Sequence, residues 1–202
     1  YLDATPTYSY AKALYKYPQR PFPYADLLAR NRERDTFQPE YELLDTGIFA
    51  DNRYFDILVE YAKAGPDDIL IRLRATNRGP EAAILHLLGM LWFRNTWIWG
   101  CKHEGCTLKP RIEQVADNRV CTAHETLEPF AFVASGRAGQ GQPQFLFTEN
   151  ESNSMLLWGT PGYTPYTKDA FQRFLVQGDA AAICPDGHGT RVGAWYQSTL
   201  EA

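Results

Sequence analysis

From residue 41 the hydrophobic and polar positions of this chain fall into a period of two. Phe55, Ile57, Val59 and Tyr61 alternate with Tyr54, Asp56, Leu58 and Glu60, which is the pattern of a half-buried strand. Gly65-Pro66-Asp67-Asp68 then supplies turn chemistry. After it Ile69, Ile71, Leu73 and Ala75 alternate with Leu70, Arg72, Arg74 and Thr76. Asn77-Arg78-Gly79-Pro80 turns the chain again, into an apolar run over 82–93. Together these predict an antiparallel meander of three consecutive strands. Shorter strands are expected over 109–115, 119–124, 129–134, 144–148, 154–158 and 191–198.

The opening third lacks this alternation. Thr7 or Ser9 is placed to cap a short helix running through Lys16 and closed by Pro18. A second helix is expected over 24–34, with Leu27 and Leu28 inward and Arg30, Arg32, Glu33 and Arg34 solvated. Pro18, Pro21 and Pro23 break the chain between them, so this part is expected to be an ordered excursion rather than sheet. An amphipathic helix is expected over 168–176, with Phe171, Phe174 and Leu175 on one side. The stretch 136–143 reads as a flexible loop. It lacks the Lys-Ser/Thr pair of a phosphate-binding loop, and no helical run follows it. The fold class expected is mainly β, an antiparallel supersandwich with a few short helices, forming a single domain over 1–202.

Composition narrows the function more than the fold. A chain of 202 residues suits one large all-β domain, which buries about 70% of its unfolded surface. A net charge of −4 without any Lys/Arg run argues against a nucleic-acid partner, which needs a basic face. The longest apolar run, 84–93, is interrupted by His86 and falls far short of the ~20 residues of a membrane span. Tyr1-Leu2-Asp3 opens no signal-peptide pattern. The 4 Cys are unevenly spaced, unlike a secreted disulfide framework, so reduced thiols and a cytoplasmic location are expected.

Aromatic content, at 14%, is high, and it concentrates in Leu91-Trp92-Phe93-Arg94-Asn95-Thr96-Trp97-Ile98-Trp99-Gly100. Flat apolar rings beside an Arg and an Asn suit a pyranose, which presents C–H faces and hydroxyl edges. A sandwich-core strand ending in a packed aromatic corner explains the same residues, because large rings dominate ordinary cores too.

Several ordered motifs share a resemblance. Tyr1-Leu2-Asp3-Ala4-Thr5-Pro6-Thr7, Leu14-Tyr15-Lys16-Tyr17-Pro18-Gln19, Tyr41-Glu42-Leu43-Leu44-Asp45-Thr46-Gly47 and Asn52-Arg53-Tyr54-Phe55-Asp56 lie in the first part of the chain. Thr76-Asn77-Arg78-Gly79-Pro80, the segment 91–99, Phe147-Thr148-Glu149-Asn150-Glu151 and Pro165-Tyr166-Thr167-Lys168-Asp169-Ala170-Phe171 follow in order. Together they resemble the glycoside hydrolase family 63-like bacterial proteins, relatives of processing α-glucosidases and mannosylglycerate hydrolase. The resemblance implies an N-terminal β-sandwich whose catalytic carboxylates lie in a later (α/α)6 barrel. On that reading residues 1–202 form an incomplete β-sandwich portion. They carry no catalytic residue and no cofactor, and have the barrel of the parent protein as partner.

The side chains themselves bear on function beside the resemblance. Glycoside hydrolysis needs two carboxyl groups about 5 Å apart for retention, or about 6.5–9.5 Å for inversion. Glu104, Glu149, Glu151, Asp169 and Asp186 are available, but nothing in the sequence pairs any two, and each reads as a loop or surface charge. Cys101-Lys102-His103-Glu104-Gly105-Cys106 with Cys121-Thr122-Ala123-His124 offers zinc ligand types at unusual spacings, so no metal is expected. His86 reads as a satisfied core or edge histidine. His188 sits in a glycine-rich loop before Arg191, where relatives by resemblance carry Lys. The substrate-binding candidates are Arg94, Asn95, Trp97, Trp99, Lys168 and Asp169, expected to wall a sugar pocket. The bland version has Arg94 and Asp169 as a structural ion pair and the Trp rings as core. A stand-alone carbohydrate-binding module for an oligosaccharide, and a self-associating domain with open sheet edges, are the rival functions.

Overall fold

The computed structural model describes residues 1–136 and 142–202. Most of the loop expected over 136–143 lies outside the described residues. The chain divides into two compact units, one of residues 1–85 with 198–202 and the other of residues 86–197. The expected fold class is what is found: a mainly β protein with antiparallel sheets and three short α-helices among the described residues.

The first unit is built on a sheet of order β1-β2-β3-β4, with β1 Asp3–Ala4, β2 Tyr10–Pro18, β3 Tyr54–Gly65 and β4 Asp68–Asn77. Residues 10–18 therefore form a strand where a helix was expected. Ala, Lys and Leu suit a helix intrinsically, but tertiary pairing overrides that weak preference. β2 runs in unbroken register along β3, from Tyr10 opposite Ala62 to Pro18 opposite Tyr54. Ser9 caps nothing helical; its hydroxyl meets those of Thr5 and Thr7 in the turn from β1. The register sets Lys12 and Arg72 on either side of Glu60, and Lys16 and Thr76 on either side of Asp56. One sheet face thus gathers ion pairs, Lys16 and Arg78 on Asp56 and Arg72 on Glu60. The other face is apolar. Phe55 and Ile57 are buried there, whereas Tyr15, Tyr61, Ile69 and Ile71 stay exposed.

The expected three-strand meander holds for its first two strands and fails at the third. β5, Ala83–Trp92, does not continue beside β4 but joins a separate sheet, next to the strand Arg191–Leu200, which in turn pairs with Gln144–Thr148. The cause is Asn77, a buried amide at the end of β4. Its Oδ1 accepts from Gly79 N at 2.9 Å, and its Nδ2 donates to the carbonyls of Glu81 and Leu200 at 2.7 and 3.1 Å. These bonds coil the chain where a tight hairpin would otherwise form. α1, Tyr24–Arg32, lies where a helix was expected, but Leu28 is exposed and no residue of α1 is buried.

The second unit is a two-sheet sandwich. One sheet has the order β10-β6-β7-β8, with β6 Arg111–Ala116, β7 Arg119–Ala123, β8 Ala131–Val133 and β10 His188–Gly189. The facing sheet contributes β9, Gln144–Thr148, and β11, Arg191–Leu200. Ile112 and Val120 from the first pack with Phe145, Phe147, Val192 and Ala194 from the second, all nearly inaccessible to solvent. On the opposite face of β9 and β11, Leu146 and Gly193 stand opposite each other. A Cβ on Gly193 would lie 3.2 Å from the Phe171 ring of α3, Ala170–Gln177, so that helix sits tightly on the sheet. β9 is thus covered on both faces, which is why residues 145–147 read as an unbroken apolar run.

Residues 154–158 form a helix, α2 (Ser154–Trp158), where a strand was expected. Its caps decided this. Asn153 Oδ1 accepts from Leu156 N at 3.0 Å, and Gly159 closes the helix in the left-handed region at φ 68°. No helix among the described residues is long and apolar enough to cross a membrane.

Candidate functional site

The aromatic segment follows β5 as a loop, and its first polar side chains are tied to the end of β9. Asn95 Nδ2 donates to the Asn150 carbonyl at 3.0 Å, and Asn150 Nδ2 donates to the Phe93 carbonyl at 2.8 Å. This reciprocal amide pair locks residues 93–95 against 150. Asn95 Oδ1 is buried, and among the described residues no donor reaches it.

The next tie is ionic. Trp97 Nε1 donates to Glu151 Oε1 at 3.0 Å, and Lys109 Nζ reaches the same oxygen at 3.0 Å. Lys109 Nζ also meets Glu149 Oε1 at 3.1 Å, while Glu149 Oε2 accepts from Thr190 Oγ1 at 2.6 Å and from Thr190 N at 3.1 Å. Glu151 has a side chain only 6% exposed and Glu149 one 15% exposed. Neither is the surface charge expected. Their spacing of two residues beyond a buried strand puts both carboxylates on one side, where one lysine serves them. That shared side was the signal available in Phe147-Thr148-Glu149-Asn150-Glu151. The pair is not arranged for glycoside hydrolysis, because the ammonium lies between the carboxylates, where a water or an anomeric carbon would have to sit.

Arg94 and Trp99 are exposed, as are Trp92 and Ile98 of the same segment, whereas Asn95 and Trp97 are partly buried. The Arg94 guanidinium carbon lies 4.9 Å from the Trp99 ring centroid, and Trp99 is 57% exposed. A cation over one ring face leaves the other for contact. The bland alternative therefore fails in part: Arg94 pairs with a ring, not with Asp169, and Trp99 is not core.

Lys168 and Asp169 are only partly brought to this group. Lys168 N donates to the Glu151 carbonyl at 2.9 Å, but its side chain is exposed. Its own carbonyl accepts from Arg191, whose guanidinium stacks 4.7 Å from the Phe171 centroid. Asp169 faces elsewhere, accepting from Thr167 Oγ1 at 2.5 Å and Asn153 Nδ2 at 3.0 Å. Burial opposes its charge, but those hydrogen bonds outweigh the burial and hold its carboxyl below the usual range. Asn153 and Thr167 also line an open cleft of about 300 Å³ with Met155, Thr164 and Arg173. The six candidates thus divide into a joined set, Arg94 to Trp99 with Lys168 at its margin, and Asp169 beside a separate cleft.

Glu104 and Asp186 are exposed. His86 Nδ1 accepts from Trp195 Nε1 at 3.0 Å with the rings stacked. Among the described residues no group of three or more His, Cys, Asp or Glu is placed to hold a metal ion.

Comparison with known proteins adds one relationship. The uncharacterized protein YMR196W of Saccharomyces cerevisiae is 36% identical over 226 residues, covering 97% of this chain. The chain spans only 20% of that yeast protein's length. No family model matches the chain, and no solved structure matches it at significance.

Proposed function

We propose that this chain is a non-catalytic β-sandwich portion of a glycoside hydrolase acting on α-glucosides or related α-linked sugars. Its work is to support a catalytic (α/α)6 barrel and to shape the mouth of the sugar pocket. The observation that carries this reading is the exposed Trp99 ring under Arg94, held at the end of a loop anchored by Trp97, Glu151 and Lys109. A stacking ring must be open to solvent to meet a sugar face, and Trp99 is, on a turn where its backbone N donates to the Thr96 carbonyl at 3.1 Å. The ordered motifs that resemble the family 63-like glycosidases supply the substrate class. Exposed apolar side chains at Met155, Leu156, Leu157 and Trp158 fit a surface that another module covers.

Titration of the chain with gluco- and manno-oligosaccharides, followed by Trp emission, tests the platform. Weak binding that Trp99→Ala abolishes supports it, whereas an unchanged spectrum for every sugar removes Trp99 from the pocket. Tight, saturable binding by the chain alone favours the stand-alone module instead. Turnover of a maltose-type or mannosylglycerate-type substrate by this chain alone would end the non-catalytic reading.

A further inference from the structure

The sheet of the first unit has two unlike edges. Arg78 N donates to the Tyr54 carbonyl at 3.0 Å, and that pair continues the register in which Thr76, Arg74 and Arg72 face Asp56, Leu58 and Glu60. Bonded and non-bonded pairs alternate along an antiparallel ladder, so these even-numbered residues of β4 turn their main-chain groups to β3. Ile69, Ile71, Leu73 and Ala75 turn theirs outward, where among the described residues no strand meets them. The far edge is guarded. β1 covers β2 at Ala11 and Lys12, and the rest of β2 carries Lys16 and ends on Pro18, which has no N–H to donate.

We infer that β4 pairs with β4 of a second copy of this chain, antiparallel about a two-fold axis at Ile71. Charge selects that register. An axis at Arg72 sets Arg72 opposite the partner's Arg72, and an axis at Leu73 sets it opposite the partner's Arg74; like charges directly opposite repel. An axis at Leu70 avoids the clash but aligns only residues 68–72 of β4. The axis at Ile71 aligns 68–74, the longest overlap free of an Arg–Arg pair. Ile69 then faces the partner's Leu73, and Ile71 faces the partner's Ile71. These residues have outward main-chain groups, so the two edges exchange about six hydrogen bonds. On the other face Asp68 stands opposite the partner's Arg74, once on each side of the axis. Arg72 is held by Glu60 and Arg78 by Asp56, whereas among the described residues Asp68 and Arg74 are exposed and form no ion pair. The edge is thus complementary to itself, as a two-fold interface requires. One strand edge is a small interface, so the association is weak and reversible. The inference stands apart from the sugar-site proposal and survives its failure.

Sedimentation velocity of the whole chain over a concentration series at low salt tests this, with circular dichroism to check that each variant is folded. The wild type should form a dimer. Asp68→Lys and Arg74→Glu should each weaken it about tenfold, because each sets like charges opposite one another on both sides of the axis. Combining the two substitutions in one chain exchanges the signs and should restore the dimer. Within one copy residues 68 and 74 lie about 20 Å apart along the strand, so a rescue reports contact between copies at this register. Ile71→Lys, which sets two ammonium groups on the axis, should abolish the dimer. A wild type that stays monomeric, a dimer that either single charge reversal leaves intact, or a folded double variant that remains monomeric would overturn the inference.

Discussion

Glu151 shows how one residue can order a loop. Its buried carboxylate accepts from Trp97 and Lys109, so replacing it removes the partner of an indole N–H and of half an ammonium's contacts. Lys109 is itself 41% exposed and recovers water, which limits the loss. Glu151→Ala should cost about 2 kcal/mol in urea unfolding and shift Trp emission as Trp97 loosens. Acid provides a second check at this scale. For Asp56, burial opposes charge, but Arg78 and Lys16 outweigh it and keep the carboxyl below its usual value, as hydrogen bonds do for Asp169. A carboxyl lower in the folded than in the unfolded chain binds fewer protons when folded. The stability from these two groups is therefore complete above the unfolded value of about 3.9 and is lost as pH falls through the folded values. Asp56→Asn should flatten that acid limb of a stability–pH profile; an unchanged limb would show that Asp56 does not contribute to it.

Gly189 sets the packing of a whole element. It lies in β10, and a Cβ there would run into the backbone of Thr148 in β9, whose carbonyl carbon would be only 3.0 Å away. Backbone cannot yield as a side-chain tip can. Gly189→Ala should destabilise by about 3 kcal/mol or more, read from the urea midpoint, whereas Gly178→Ala meets open space and should show only the strain of its left-handed φ of 71°. The glycine-rich stretch before Arg191 thus has a structural use in close strand contact. Helix against strand was legible in the long alternating segments and not in the short ones. Residues 10–18 carry helix-favouring side chains yet pair with β3, and residues 154–158 carry strand-like apolar ones yet are capped into a turn of helix. Propensity summed over so few residues is smaller than one cap or one set of ladder bonds.

At the scale of the molecule, among the described residues the first unit leaves β4 as a sheet edge with Ile69, Leu70 and Ile71 each about half exposed or more. An apolar, unpaired edge is a template for another strand. Reversible self-association should appear in sedimentation at raised concentration, and Ile69→Lys with Ile71→Lys should return the chain to monomer. A wild type that stays monomeric throughout would show the edge to be inert.

By itself the sequence determined the mainly β class, the strands over 54–77, the buried strand at 144–148 and the aromatic loop, because period-two burial and turn residues act locally. Tertiary structure decided which strands pair, since register depends on distant partners such as Asp56 with Lys16. It also decided which carboxylates are buried. Nothing local to Glu149 or Glu151 announces a shared lysine some forty residues earlier. The same holds for the aromatics: a sequence lists three tryptophans alike, and only packing separates Trp97, tied inward, from Trp99, left open under its arginine.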